Sequence, residues 1–211
     1  HSLREDKPMV PASTLKVFTA LLAFKTWSPK HRFVTNFYLD EDKVLWVKGS
    51  GDPFLTAKEL SKIVKFLKQK GLKQINGIGV DSYYFASDIQ IDGKSNTNNS
   101  YDAPVGALAV NFNTLSIVRN KNKAHSGESQ TPLTPLMQKL AGTVPNGYHR
   151  INVGDQDLSG PYFAEVLQAK LRQQGVKTNL AKKVLLGQTR QMGAVIVAQG
   201  DVVVNHQRWR A

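Results

Sequence analysis

The sequence predicts a mixed α/β fold of the α+β type. Three observations carry this reading. A hairpin pattern occupies residues 32–53. Two amphipathic helices, 56–71 and 160–176, each run into a glycine and then a short apolar stretch. Short β-like segments lie between and after them. Helical and strand periodicities therefore alternate along one chain, and with 211 residues there is enough of it to build a substantial core.

The elements follow in order. "PASTLKVFTALLAF" (11–24) begins with Ser13, a residue type preferred at helix N-caps, and continues as a helix apolar nearly all round. Such a helix is expected to be buried. "SPKH" (28–31) should stop it, because Pro29 cannot continue the hydrogen-bond ladder. In 32–53, Phe33, Phe37 and Leu39 precede the acidic turn Asp40-Glu41-Asp42, and Val44 to Val47 follow it, giving a hairpin. Leu60, Ile63, Val64 and Leu67 line one face of helix 56–71, which closes at Gly71. Residues 75–81 read as a strand, 91–104 as a polar loop, 105–118 as a strand region and 120–132 as a second loop. A short helix is expected in 133–142. Helix 160–176 leads to short strands at 184–187 and 193–197. "FLKQKGLKQ" (66–74) and "KLRQQGVKT" (170–178) echo one another, which suggests two similar helix–strand units in one layer.

Composition narrows the chemistry. There is no cysteine, so disulfides and thiolate metal sites are excluded. No apolar run is long enough for a membrane span. The net charge of +12 is compatible with an anionic partner, but the basic residues are dispersed. No nucleic-acid motif accompanies them, so no nucleic-acid partner is expected. His1, His31, His125, His149 and His206 lack paired ligand spacing, and neither a metal nor another cofactor is expected. The G-x-S-x-G elbow of Ser-His-Asp hydrolases is missing as well.

Ser13 and Lys16 are the candidate catalytic pair. Residues three apart on a helix share a face. A first-turn serine sits where unpaired backbone N–H groups and the helix dipole favour developing negative charge. Lys16 is the only charged residue between Lys7 and Lys25. A lysine desolvated by apolar neighbours releases its proton more readily, as a general base must. The alternative is a capping serine with a lysine extending its stem to solvent.

The segment "PASTLKVFTALLAF" resembles the nucleophile helix of the penicillin-binding proteins, whose signature is S-x-x-K, then S-D-N or a variant, then K-T-G. "VKGSGDPFL" (47–55), "GIGVDSYYF" (77–85) and "YDAPVGALAVNFNT" (101–114) follow in the order found in class C low-molecular-mass members. These are serine D-Ala-D-Ala carboxypeptidases and endopeptidases. The resemblance spans roughly residues 5 to 198. It implies a partial penicillin-binding/β-lactamase-like catalytic domain with large inserted α+β domains. Residues 1–36 would begin the catalytic domain, 37–190 would form the inserted region with a smaller nested piece near 115–157, and 191–211 would return toward the catalytic domain.

By the same resemblance Ser13 would be the acylated nucleophile, Lys16 its base and Tyr101 a wall of the substrate site, the alternative for Tyr101 being core or hairpin packing. Asp92 and Asp102 are the carboxylates nearest the position where some members carry a substrate-binding acid. The partners implied are a peptidoglycan stem peptide and, covalently, β-lactams. The implied location is periplasmic or otherwise exported, although the polar opening "HSLREDKPMV" is no signal peptide. The sequence contains no S-x-N, Lys-Thr-Gly or Lys-Ser-Gly triplet. "HSG" (125–127) imitates a variant third motif but falls in the inserted region. The chain is thus expected to be incomplete and feebly active or inactive. Its uncovered apolar helix is expected to drive homo-oligomerisation. The rival expectation is a non-catalytic basic module that binds anionic cell-wall polymer.

Overall fold

The structure is a computed structural model that describes residues 6–86, 89, 91–179, 184–187 and the backbone of 195–196. The chain divides into two compact units, His1–Arg32 and Phe33–Ala211.

In the first unit a 3-10 turn, Ala12–Thr14, leads directly into helix α1, Leu15–Thr26. The helix ends one residue before Ser28-Pro29, at an extended Trp27 (φ −119°, ψ 141°) whose ring stacks on His31 at 4.9 Å. No residue of α1 is buried, and Phe18 is 63% exposed. The expectation of a buried helix is therefore not met. An all-round apolar sequence states a need for cover, but the cover must come from elsewhere.

The second unit opens with β1, Asn36–Leu39, and β2, Val44–Lys48, an antiparallel hairpin in which Tyr38 faces Trp46. Asp40 closes the hairpin. One carboxylate oxygen accepts from the Val44 N–H at 2.7 Å and the other from the Trp46 indole N–H at 2.9 Å. Helix α2, Ala57–Gln69, starts on Thr56, whose hydroxyl accepts from the Glu59 N–H. Threonine followed three residues later by glutamate is the capping-box pattern. Short β3, Gln74–Ile75, and β4, Gly77–Asp81, follow.

After a long loop come β5, Thr114–Asn120, β6, Lys123–Ser126, helix α3, Pro135–Ala141, and β7, Gly147–Asn152. Helix α4, Ser159–Gln173, then leads to β8, Lys177–Thr178, β9, Leu185–Leu186, and β10, Val195–Ile196. The main sheet has the order β10-β1-β2-β4-β9, with β2, β4 and β9 parallel. A separate antiparallel sheet has the order β6-β5-β7. The mixed α and β architecture expected from the pattern is what forms.

The echo between 66–74 and 170–178 is structural. At the end of α2, Leu72 N–H reaches Leu67 C=O and Gly71 N–H reaches Lys68 C=O, with Gly71 at φ +101°. At the end of α4, Val176 N–H reaches Leu171 C=O and Gly175 N–H reaches Arg172 C=O, with Gly175 at φ +76°. Both are Schellman endings, which glycine permits because the left-handed position carries no Cβ. The strands they release, β3 and β8, pair in parallel as a two-stranded sheet. Phe37, Leu45, Val47, Ile78 and Val80 of the main sheet share one core with Leu60, Val64 and Leu67 of α2 and Phe163, Leu167 and Leu171 of α4. On β2 and β4, side chains alternate between the two faces of the sheet. Trp46 lies over Gly79, its register partner.

Three expectations shift. The strand expected over 105–118 begins only at Thr114. Just before it, Asn111, Phe112 and Asn113 all hold positive φ (51°, 60° and 53°) in a 3-10 turn. Asparagine tolerates this conformation because its short amide bonds locally, and here the Asn111 amide is buried in a hydrogen-bond network. Secondly, the loop expected over 120–132 contains β6. Its polar residues occupy the edge of an antiparallel sheet, where period-two apolar patterning is not required. Thirdly, β7 falls in a stretch, "GYHRIN", that the patterning leaves unassigned. The return segment 191–211 and the strand at 193–197 lie outside the described residues apart from Val195–Ile196.

Candidate functional site

Ser13 occupies the 3-10 turn ahead of α1, one residue before the helix N-cap Thr14. Thr14 makes no side-chain cap, and Ser13 does not cap the helix either. The Lys16 ammonium donates instead to the Ser13 hydroxyl oxygen at 2.9 Å. The turn and the first turn of α1 thus point both side chains the same way. Both residues are exposed, so the desolvation expected for Lys16 is not present. Chemically, a hydroxyl in direct contact with an amine is the nucleophile-plus-base arrangement of acyl transfer.

Tyr101 belongs to the second unit. It lies in a 3-10 turn, Ser100–Asp102, and is 81% exposed, with its hydroxyl 2.7 Å from the Asn99 side-chain amide nitrogen. It is not a core residue. Asp102, considered above as a nearby acid, is buried and turned inward. It accepts from the Ser95 N–H at 2.9 Å and from the Thr97 hydroxyl. Asn152 of β7 grips the same loop, donating its amide to the carbonyls of Thr97 and Asn99 at 2.8 Å each. Its backbone N–H reaches the Asn98 carbonyl at 3.0 Å. Asp102 and Asn152 therefore hold the loop that presents Tyr101. Asn152 was not legible as a functional position, because its partners lie more than fifty residues away. Asp92 is exposed.

Asp52 forms a local turn, accepting from the Phe54 N–H at 2.8 Å. "HSG" (125–127) starts on the edge strand β6 of the small sheet. Among the described residues no cluster of three or more His, Asp or Glu side chains could hold a metal ion. No helix among them is long and apolar enough to cross a membrane.

A serine–lysine contact at the start of an apolar helix is an arrangement suited to serine acyl transfer. The comparison with known proteins agrees. The family described as D-Ala-D-Ala carboxypeptidase 3 (S13) matches residues 1–142, and the chain belongs to this family. It is 27% identical over 231 aligned residues to the D-alanyl-D-alanine carboxypeptidase DacB of Haemophilus influenzae, covering 89% of this chain and 47% of that protein. It is 26% identical over 137 residues to penicillin-sensitive carboxypeptidase A of Dictyostelium discoideum, covering 55% of this chain and 26% of that protein. Among solved structures it superposes on penicillin binding protein 4 of Haemophilus influenzae with a TM-score of 0.62 and 25% identity, over 85% of this chain and 48% of that one. A complex of the same Haemophilus protein with a β-lactam shares the fold, with a TM-score of 0.56. The chain spans about half the length of DacB and about a quarter of the Dictyostelium protein.

Proposed function

We propose that this chain carries the acylating part of a serine-type D-Ala-D-Ala carboxypeptidase of peptidoglycan. One observation carries the reading: the 2.9 Å contact between Lys16 Nζ and Ser13 Oγ, inside the segment that matches the family. In the reaction the direction of that bond reverses. The neutral Lys16 amine takes the Ser13 proton as Oγ attacks the carbonyl carbon of the penultimate D-Ala. The tetrahedral intermediate expels the terminal D-Ala, whose amine takes up the proton. Water then releases the acyl group from Ser13. A β-lactam would acylate the same oxygen by opening its ring.

The proposal includes a small rate. S-x-N and K-T-G triplets are absent from the sequence, and groups that act as a unit lose orders of magnitude when several are removed. It also includes the division into a catalytic start (1–36), an inserted region (37–190) with a nested piece (115–157) and a return segment (191–211). The unit boundary at Arg32 and the separate sheet β6-β5-β7 support the first part of that division, whereas β10, within the return segment, pairs with β1 in the main sheet. Tyr101 is retained as a substrate-wall residue. The place of action is periplasmic or exported, where a peptidoglycan substrate lies. The exposed apolar side chains of α1 support self-association. A non-catalytic basic module is not favoured, since the relatives are named as carboxypeptidases.

The test is intact mass after incubation with a penicillin, beside a Ser13→Ala control. An adduct of one penicillin per chain, lost in the control, is the expected result. A folded chain that never acquires an adduct overturns the reading.

A further inference from the structure

The second unit contains a cleft of about 260 Å3 that the acylation chemistry does not use. One wall follows the end of β4 and carries Tyr83 and Phe85. The other carries Gln156 and Asp157 from a 3-10 turn and Ser159 from the first turn of α4, with Leu186 of β9 at the edge.

Both walls are held. Tyr83 is set by its N–H, which donates to the buried carboxylate of Asp81 at 3.2 Å. Asp157 is set by its N–H, which donates to the Asp155 carboxylate at 3.1 Å. The Ser159 hydroxyl is buried, with the residue 5% exposed, and has no hydrogen-bond partner. A hydroxyl in that state has an unmet demand that a ligand or a water would satisfy.

The lining chooses the ligand. The chain carries a net charge of +12, yet among the described residues no lysine or arginine lines this cleft and one carboxylate does. A neutral, hydrogen-bonding ligand therefore suits this lining better than an anion does. The volume lies just below the range of about 300–1,000 Å3 typical of drug-sized sites, which limits the occupant to a single ring with small substituents. Tyr83 is more than half exposed, and Tyr83 and Phe85 both line the cleft, offering aromatic surface to the C–H face of a ring. Asp157 accepts hydroxyl protons, whereas Gln156 both donates and accepts and so can match an amide. Leu186 suits a methyl group.

We propose that this cleft is a binding subsite for one neutral N-acetylated sugar residue, such as a unit of a glycan strand. The choice of an N-acetylated sugar among neutral rings rests on the peptidoglycan reading above. The subsite would let a carboxypeptidase hold the glycan while its stem peptide is processed, using residues separate from Ser13 and Lys16.

The experiment is a titration of the 211-residue chain with N,N′-diacetylchitobiose, followed by saturation-transfer NMR and calorimetry. Glycerol phosphate serves as an anionic control. Saturable binding near the millimolar range is expected, as for small polar ligands. Tyr83→Ala and Asp157→Ala should each weaken it about tenfold while leaving the penicillin adduct on Ser13 unchanged. Both side chains are exposed, so the fold survives their removal, and an unchanged unfolding curve checks this. No saturable sugar binding, binding that both variants retain, or a preference for glycerol phosphate overturns the proposal. Loss of the penicillin adduct with sugar binding intact would overturn the acylation reading instead and leave this one standing.

Discussion

Lys16 Nζ lies 2.9 Å from Ser13 Oγ, although Ser13 is not in the α-helix at all. The 3-10 turn Ala12–Thr14 tightens the chain ahead of α1, so a spacing of three still brings the two side chains together. If this contact makes the nucleophile, Lys16→Met should slow acylation by penicillin about 100-fold or more, the usual size of a general-base contribution. Lys16→Arg should fail nearly as badly, because a guanidinium stays protonated. Stopped-flow or quenched mass measurements give the rate. An unchanged rate in Lys16→Met removes lysine from the mechanism.

Gly79 is required by its neighbour. A Cβ there would sit 2.2 Å from the Trp46 ring, and the indole is tied to Asp40. Gly79→Ala should therefore destabilise the fold by roughly 1–3 kcal/mol, the range for overpacking. Urea unfolding followed by Trp fluorescence reads this directly. A midpoint equal to that of the parent would show that the ring moves aside freely.

Asn111 joins distant pieces of chain. Its carbonyl oxygen accepts from the Ala57 N–H at 2.8 Å, at the start of α2, and its amide donates to the Thr131 hydroxyl at 3.1 Å and the Tyr162 hydroxyl at 3.4 Å. Asn111→Ala leaves the Ala57 N–H buried without this partner and puts alanine at a positive φ. The expected loss is about 2–4 kcal/mol, read as a lower urea midpoint with an unchanged slope. Asn111→Asp should recover part of it, since a carboxylate can still accept from Ala57.

Burial pushes the Tyr162 phenol up to about 12, opposed by its hydrogen bond with Asn111 and assisted by the charges of Glu128 and Glu165. The unfolded chain releases this proton near pH 10, before the folded one does. The stabilisation is thus fully present below pH 10 and is lost as pH rises from about 10 through 12. The loss is on the order of 2 kcal/mol. Comparing unfolding midpoints of the parent and Tyr162→Phe between pH 9 and pH 11.5 isolates this residue from other titrating groups. The phenylalanine variant should show a shallower alkaline decline. Parallel curves would mean that the phenol ionises equally in both states.

Phe18 and Leu22 are exposed one turn apart on α1. If apolar contact through this helix drives self-association, sedimentation velocity should show oligomers that grow with concentration. Phe18→Glu should shift the distribution to monomer. A parent chain that stays monomeric at high concentration ends the idea.

Much of the second unit was legible beforehand. The β1–β2 hairpin, α2 and α4 follow from period-two and period-3.6 patterning, and the repeated helix–glycine–strand phrase became two Schellman endings with paired strands. The candidate pair Ser13 and Lys16 was legible from spacing and from the resemblance to its family. Asn152 was not, nor was the cleft, because both are assembled from residues far apart in the chain. The left-handed run Asn111–Asn113 was hidden under what looks like strand sequence, since its conformation is held by remote hydrogen bonds.

Features that depend on near neighbours could be read directly along the chain: the Thr56 and Gly71 ends of α2, its apolar face, and a serine and a lysine three residues apart. Folding settled the features that depend on remote partners. It made β3 and β8 a parallel pair, placed Trp46 on Gly79, buried Asp102 as a loop anchor and left α1 exposed despite its composition. The physical reason is range. Propensity and periodicity act within a few residues, whereas burial and strand pairing are set by surfaces that the chain brings together only when it folds.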